Sequence, residues 1–80
     1  DYEPHLALFV YDKNPLLFYE QITLIATQYL KKGGSLYFEI NESFGNEVVE
    51  ILARYQFEQI RLVKDLQGKD RMVGGDYPAL

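Results

Sequence analysis

The sequence predicts an α/β fold built on a mixed sheet, in the order helix, strand, helix, strand, strand, with the last strand antiparallel. Three observations carry that expectation. Apolar residues recur at helical spacing in two separate stretches, 15–32 and 44–55. Between and after them lie short runs, 35–40, 57–65 and 70–74, with the alternation or β-branched content of strands. Glycine pairs and a Leu-Gln-Gly-Lys turn punctuate the joins. At 80 residues, 48% of them apolar, the chain has material for one small core. A second domain is excluded, since single domains usually run to about 100–150 residues.

Residues 1–14 are mixed. Pro4 stops any helix running into it, and the apolar run Leu6 to Val10 ends at Tyr11-Asp12-Lys13-Asn14. This reads as an irregular lead-in with room for one turn of helix. Asn14-Pro15 then makes a helix start, because Asn can cap free N–H groups and Pro has none to lose at the first helical position. Phe18, Ile22, Ile25 and Tyr29 form the expected buried stripe, widened by Leu17, Leu24 and Ala26. Lys31-Lys32 suit the negative end of the helix dipole, and Gly33-Gly34 supply a left-handed stop.

In Ser35 to Ile40 the residues Leu36, Phe38 and Ile40 share one face, with Tyr37 and Glu39 on the other. Ser43 is the expected cap of the second helix, whose stripe is Val48, Ile51, Leu52 and Tyr55. Strands 57–65 and 70–74 should form a hairpin, with the Asp65 side chain capping its own turn. In a strand, Asp70 and Arg71 point to opposite faces and should not pair with each other.

Composition bounds the function. Eight Lys and Arg against twelve Asp and Glu give a net charge of −4. The basic field that captures phosphate backbones is missing, so direct nucleic-acid binding is not expected. Cysteine is absent, which removes disulfides and Cys-based zinc sites. No apolar run is long enough to span a membrane as a helix, and no signal peptide is visible. The opening on Asp1 reads as a cut from something longer.

Candidate chemistry is sparse. Neither glycine pair belongs to a phosphate-binding loop. His5 stands alone, so no metal site is expected. Glu39 draws interest because it sits near the carboxyl end of a strand, where open α/β sheets bind ligands; packing or solvation remains its ordinary role.

Three stretches resemble one family. Tyr2-Glu3-Pro4-His5-Leu6-Ala7-Leu8-Phe9 looks like the "(Y/F)EP..AL" segment of HemK/PrmC-type glutamine methyltransferases. Gly33-Gly34-Ser35-Leu36-Tyr37-Phe38-Glu39-Ile40 with Gly45 resembles its "GG.L..EIG..QG" stretch, with Asn41 and Phe44 departing from the pattern. Asp65-Leu66-Gln67-Gly68-Lys69-Asp70-Arg71 is similar to its closing "DL.G.DR" hairpin. Together the three cover essentially the whole chain in order.

The resemblance implies the C-terminal portion of a class I, Rossmann-like methyltransferase sheet, occupying residues 1–80. In that family the sheet is seven-stranded, and its last strand slots antiparallel between the fifth and sixth. The implied activity of the whole enzyme is S-adenosylmethionine-dependent methylation of the glutamine amide in the Gly-Gly-Gln motif of peptide chain release factors, in the cytoplasm. The family's glycine-rich cofactor loop and Asn-Pro-Pro-Tyr motif do not occur in these 80 residues, so the chain alone is expected to lack cofactor binding and catalysis. Tyr2, Glu3 and Pro4 are the substrate-pocket candidates. Another class I amino-methyltransferase acting on nucleic acid, or a non-catalytic α/β interaction module, are the alternatives. An unpaired edge on strand 35–40 should drive self-association, for instance as a symmetric dimer with a continuous sheet.

Overall fold

A computed structural model describes residues 14–78 and the backbone of residues 5–9. The elements are β1 (His5–Phe9), α1 (Pro15–Tyr29), β2 (Ser35–Glu39), a 3-10 turn (Glu42–Phe44), α2 (Gly45–Arg54), β3 (Glu58–Lys64) and β4 (Asp70–Asp76). They form one four-stranded sheet in the order β1-β2-β4-β3. β1 runs parallel to β2, and β4 is antiparallel to both β2 and β3. The last strand is thus slotted between its two predecessors.

Two expectations are corrected here. The lead-in is not irregular throughout: His5–Phe9 is a strand, paired in register with Ser35–Glu39. Its run was too short to declare itself by periodicity, and a partner decides its conformation. For the same reason the strand at 35–40 has no open edge, since β1 lies on one side and β4 on the other.

The core lies between the sheet and the two helices. Leu36, Phe38 and Val73 on the sheet meet Tyr19 and Ala26 of α1 and Val48, Ile51 and Leu52 of α2. Tyr19 packs edge-on against Phe38, with ring centroids 4.9 Å apart. In α2 the buried stripe follows the sequence pattern. In α1 it does not: Tyr19, Thr23 and Ala26 face the sheet, while Ile25 and Tyr29 are 49% and 80% exposed. The Thr23 hydroxyl satisfies itself by donating to the Tyr19 carbonyl at 2.7 Å, which lets a polar residue sit fully buried.

The ends also differ from expectation. α1 stops at Tyr29, short of the lysines, and Asn14 stands at its N-cap without a side-chain cap bond. Gly33 (φ 85°) instead turns the chain between Lys31 and Gly34, whose amide donates to the Lys31 carbonyl at 2.8 Å. Ser43 does not cap α2, whose N-cap position is Phe44 with no side-chain bond; Asn41 caps the 3-10 turn ahead of it, the Ser43 amide and hydroxyl both donating to its Oδ1. α2 ends in a Schellman arrangement, with the Phe57 amide on the Leu52 carbonyl and Gln56 left-handed at φ 73°. β3 carries an extra residue between Glu58 and Arg61, where Gln59 is left-handed at φ 52° and forms a bulge. β4 runs two residues beyond its predicted end, to Asp76.

Candidate site at the carboxyl end of the sheet

β1 and β2 are parallel, so their carboxyl ends, Phe9 and Glu39, lie side by side. Ligand crevices of open α/β sheets form beyond such ends. The connections that follow them converge there: Asn14 with the first turn of α1, and residues 40–44 ahead of α2. Asn14, Pro15, Leu16, Leu17 and Phe44 line a mostly apolar hollow of 420 Å³. Glu39 is exposed at the strand end, and its backbone carbonyl accepts a long bond, 3.4 Å, from the Tyr19 hydroxyl. A slightly larger cleft, 440 Å³, is lined by Lys32, Arg54, Tyr55, Gln56 and Tyr77 among others. It opens at the amino ends of the strands, away from the crevice, so position outweighs volume in choosing between them.

The hairpin is braced beside this end. The Asp65 carboxylate accepts from the Gln67 amide (2.8 Å), the Lys69 amide (3.0 Å) and Arg71 Nε (2.9 Å). The Lys69 amide foremost, then the Arg71 guanidinium, hold its carboxyl below the usual carboxylate range. The expected turn cap is therefore present, and Arg71 pairs with Asp65 rather than Asp70. Asp70 pairs with Lys64 and lies so close over Gly45 that a Cβ there would sit 2.3 Å from its Oδ2. This contact gives a steric reason for glycine at position 45.

The opposite sheet face carries a polar network that sequence reasoning missed. The Ser35 hydroxyl donates to Asp76 Oδ1 at 2.7 Å, and the Arg61 guanidinium pairs with the same carboxylate. Arg61 also donates to the Tyr37 hydroxyl at 2.7 Å and lies 5.5 Å from the centre of that ring. Arg61 foremost, then Ser35, pull the Asp76 carboxyl below its ordinary value. Tyr37 covers its cross-strand partner Gly74, where a Cβ would meet the ring at 2.2 Å. The partners stand far apart in sequence, so no local pattern announces them.

Tyr2, Glu3 and Pro4 lie outside the described residues, as does the side chain of His5. No cluster of three His, Cys, Asp or Glu side chains able to hold a metal occurs among the described residues. Gly45, Gly74 and Gly75 are each filled by the chain's own side chains, Asp70, Tyr37 and Phe57 with Ile60. None of these three is held open for a cofactor's phosphate or carboxylate.

The fold comes first: a mixed four-stranded sheet with two helices, its last strand antiparallel between the two before it. The chain superposes on the crystal structure of a release factor-specific protein-(glutamine-N5) methyltransferase from Alicyclobacillus acidocaldarius with a TM-score of 0.71. That likeness covers 95% of this chain and 50% of that one at 24% identity, and it speaks for the fold alone. Sequence then narrows the class. The chain is 55% identical over 73 residues to the release factor glutamine methyltransferase of Flavobacterium psychrophilum, and 44% identical to that of Bacteroides thetaiotaomicron. Each match spans 91% of this chain and 26% of the relative, so the chain spans about a quarter of the length of these proteins. No family model matches. Over nearly its whole length the chain is thus similar to one stretch of these release factor glutamine methyltransferases.

Proposed function

We propose that this chain is the C-terminal part of an S-adenosylmethionine-dependent methyltransferase that methylates the glutamine side-chain amide of the Gly-Gly-Gln motif in peptide chain release factors. The observation that carries the reading is the 55% identity, over 91% of the chain, to a protein of that name. The strand order supports it, because β4 lies antiparallel between β2 and β3 as the resemblance implies.

An amide nitrogen is a poor nucleophile, since its lone pair is delocalised into the carbonyl. Transfer of a methyl group to it calls for acceptors that fix the amide in line with the donor. The cofactor supplies the methyl group. In this reading, β2 and the helices fix the wall of the crevice, and Tyr2, Glu3 and Pro4 trail the catalytic loop and line the substrate pocket. The 80 residues alone bind no S-adenosylmethionine and transfer no methyl group, and the whole enzyme works in the cytoplasm on a protein substrate. The net charge of −4 disfavours the nucleic-acid alternative.

Two measurements test this. Isothermal titration of the 80-residue chain with S-adenosylmethionine should show no heat of binding; micromolar affinity would contradict the assignment of the cofactor site to residues outside it. In the whole enzyme, Glu3→Ala should raise the Michaelis constant for release factor, and wild-type kinetics would remove Glu3 from the pocket.

A further inference from the structure

We propose that the groove between α1 and α2 docks a basic stretch of the protein substrate, with one large apolar side chain of that stretch seated in the hollow at the carboxyl end of the sheet. This deepens the methyltransferase reading and rests on it. The hollow of 420 Å³ and a second of 350 Å³ between the helices share Leu16 and Leu17, so the two adjoin and mark a track leading from the crevice. Its lining includes Leu16, Leu17 and Ile51, and Leu17 is 55% exposed.

The charges along the track are one-sided. Glu20, Glu47 and Glu50 line it against a single cation, Arg54. Arg54 is already committed, donating to Glu20 at 3.0 Å, and the Tyr55 hydroxyl donates to the same oxygen at 3.1 Å. Glu47 and Glu50 have no ion-pair partner among the described residues. They stand three positions apart on α2, where like charges repel and cost the helix stability. Glu47 in the first turn recovers some of that from the helix dipole, and Glu50 stands four positions before Arg54, whose ion pair is with Glu20. The acidic rim is a complement to clustered Lys and Arg. An occupant with both cations and an apolar anchor satisfies floor and rim together, and the overall negative charge of the chain would speed its approach.

The test is steady-state kinetics of the whole enzyme with release factor as the varied substrate. Glu47→Lys with Glu50→Lys should raise KM about tenfold and leave kcat and S-adenosylmethionine affinity unchanged. The wild-type kcat/KM should fall steeply with salt, and that slope should flatten in the double variant. Leu17→Asp, at a position 55% exposed, should also raise KM. Glu58→Lys on the far edge strand should change nothing. Wild-type KM and salt slope in the double variant would overturn the groove while leaving the methyltransferase reading intact. Absence of any methyl transfer to release factor by the wild type would overturn both.

Discussion

Helices α1 and α2 lie side by side on the same face of the sheet, yet they commit to it differently. α2 has one apolar stripe, of which Val48, Ile51 and Leu52 are buried and Tyr55 at its end is half-buried. α1 is apolar on more than one side. It buries Tyr19, Thr23 and Ala26 and leaves Leu17, Leu24, Ile25 and Tyr29 exposed. A stripe at helical spacing identifies a helix, but where two stripes compete, the sheet's shape chooses between them. Tyr19 wins over Ile25 and Tyr29 because its ring completes an edge-to-face contact with Phe38 and its hydroxyl still reaches the Glu39 carbonyl.

Mutations at matched positions sharpen that contrast. The largest effect is expected in α2, where Leu52→Ala should cost about 3 kcal/mol in denaturant unfolding, since the side chain is fully buried. In α1, Tyr19→Ala should cost about the same, whereas Ile25→Ala in the 80-residue chain should cost about 0.5 kcal/mol or less. Equal losses at positions 19 and 25 would mean that α1 presents its other stripe to the sheet.

Smaller effects probe the sheet face away from the helices. The folded-state carboxyl of Asp76 lies below its ordinary value of 3.8, which is also the reference for the unfolded chain. Its contribution is therefore complete above about pH 4 and is lost as pH falls through the folded value. Asp76→Asn should lower the thermal midpoint at neutral pH and flatten the loss of stability on acidification. Identical acid profiles for the two proteins would place the carboxylate outside the network. Smallest is a gain: Gln56→Gly at the left-handed end of α2 should stabilise by about 0.5–1 kcal/mol, read as a rise in the unfolding midpoint.

Much of this was legible beforehand, for reasons that differ by element. The α2 stripe, the buried side of β2 and the Asp65 turn are local patterns, and local patterns survive folding. The antiparallel slot of the last strand was legible only through the family resemblance. β1 was not legible, because five residues after a proline carry no period of their own and take strand form from pairing with β2. The Ser35–Asp76–Arg61–Tyr37 network was hidden because its members lie on three strands and meet only once the sheet forms. Gln56 and Gln59 hold conformations that glycine or asparagine would have signalled. The expected pocket residues Tyr2, Glu3 and Pro4 fall outside the described part, and the apolar hollow beside β2 was unforeseen because Leu16 and Leu17 come from α1 and Phe44 from the 3-10 turn.

The most direct measurement is a methyl-transfer assay with the whole protein that carries this chain, S-adenosylmethionine labelled in its methyl group, and a release factor, read by peptide mass spectrometry. The account predicts one added methyl group on the side-chain amide of the Gly-Gly-Gln glutamine, and none when that glutamine is replaced. An unmodified release factor, or label appearing on nucleic acid instead, would contradict it.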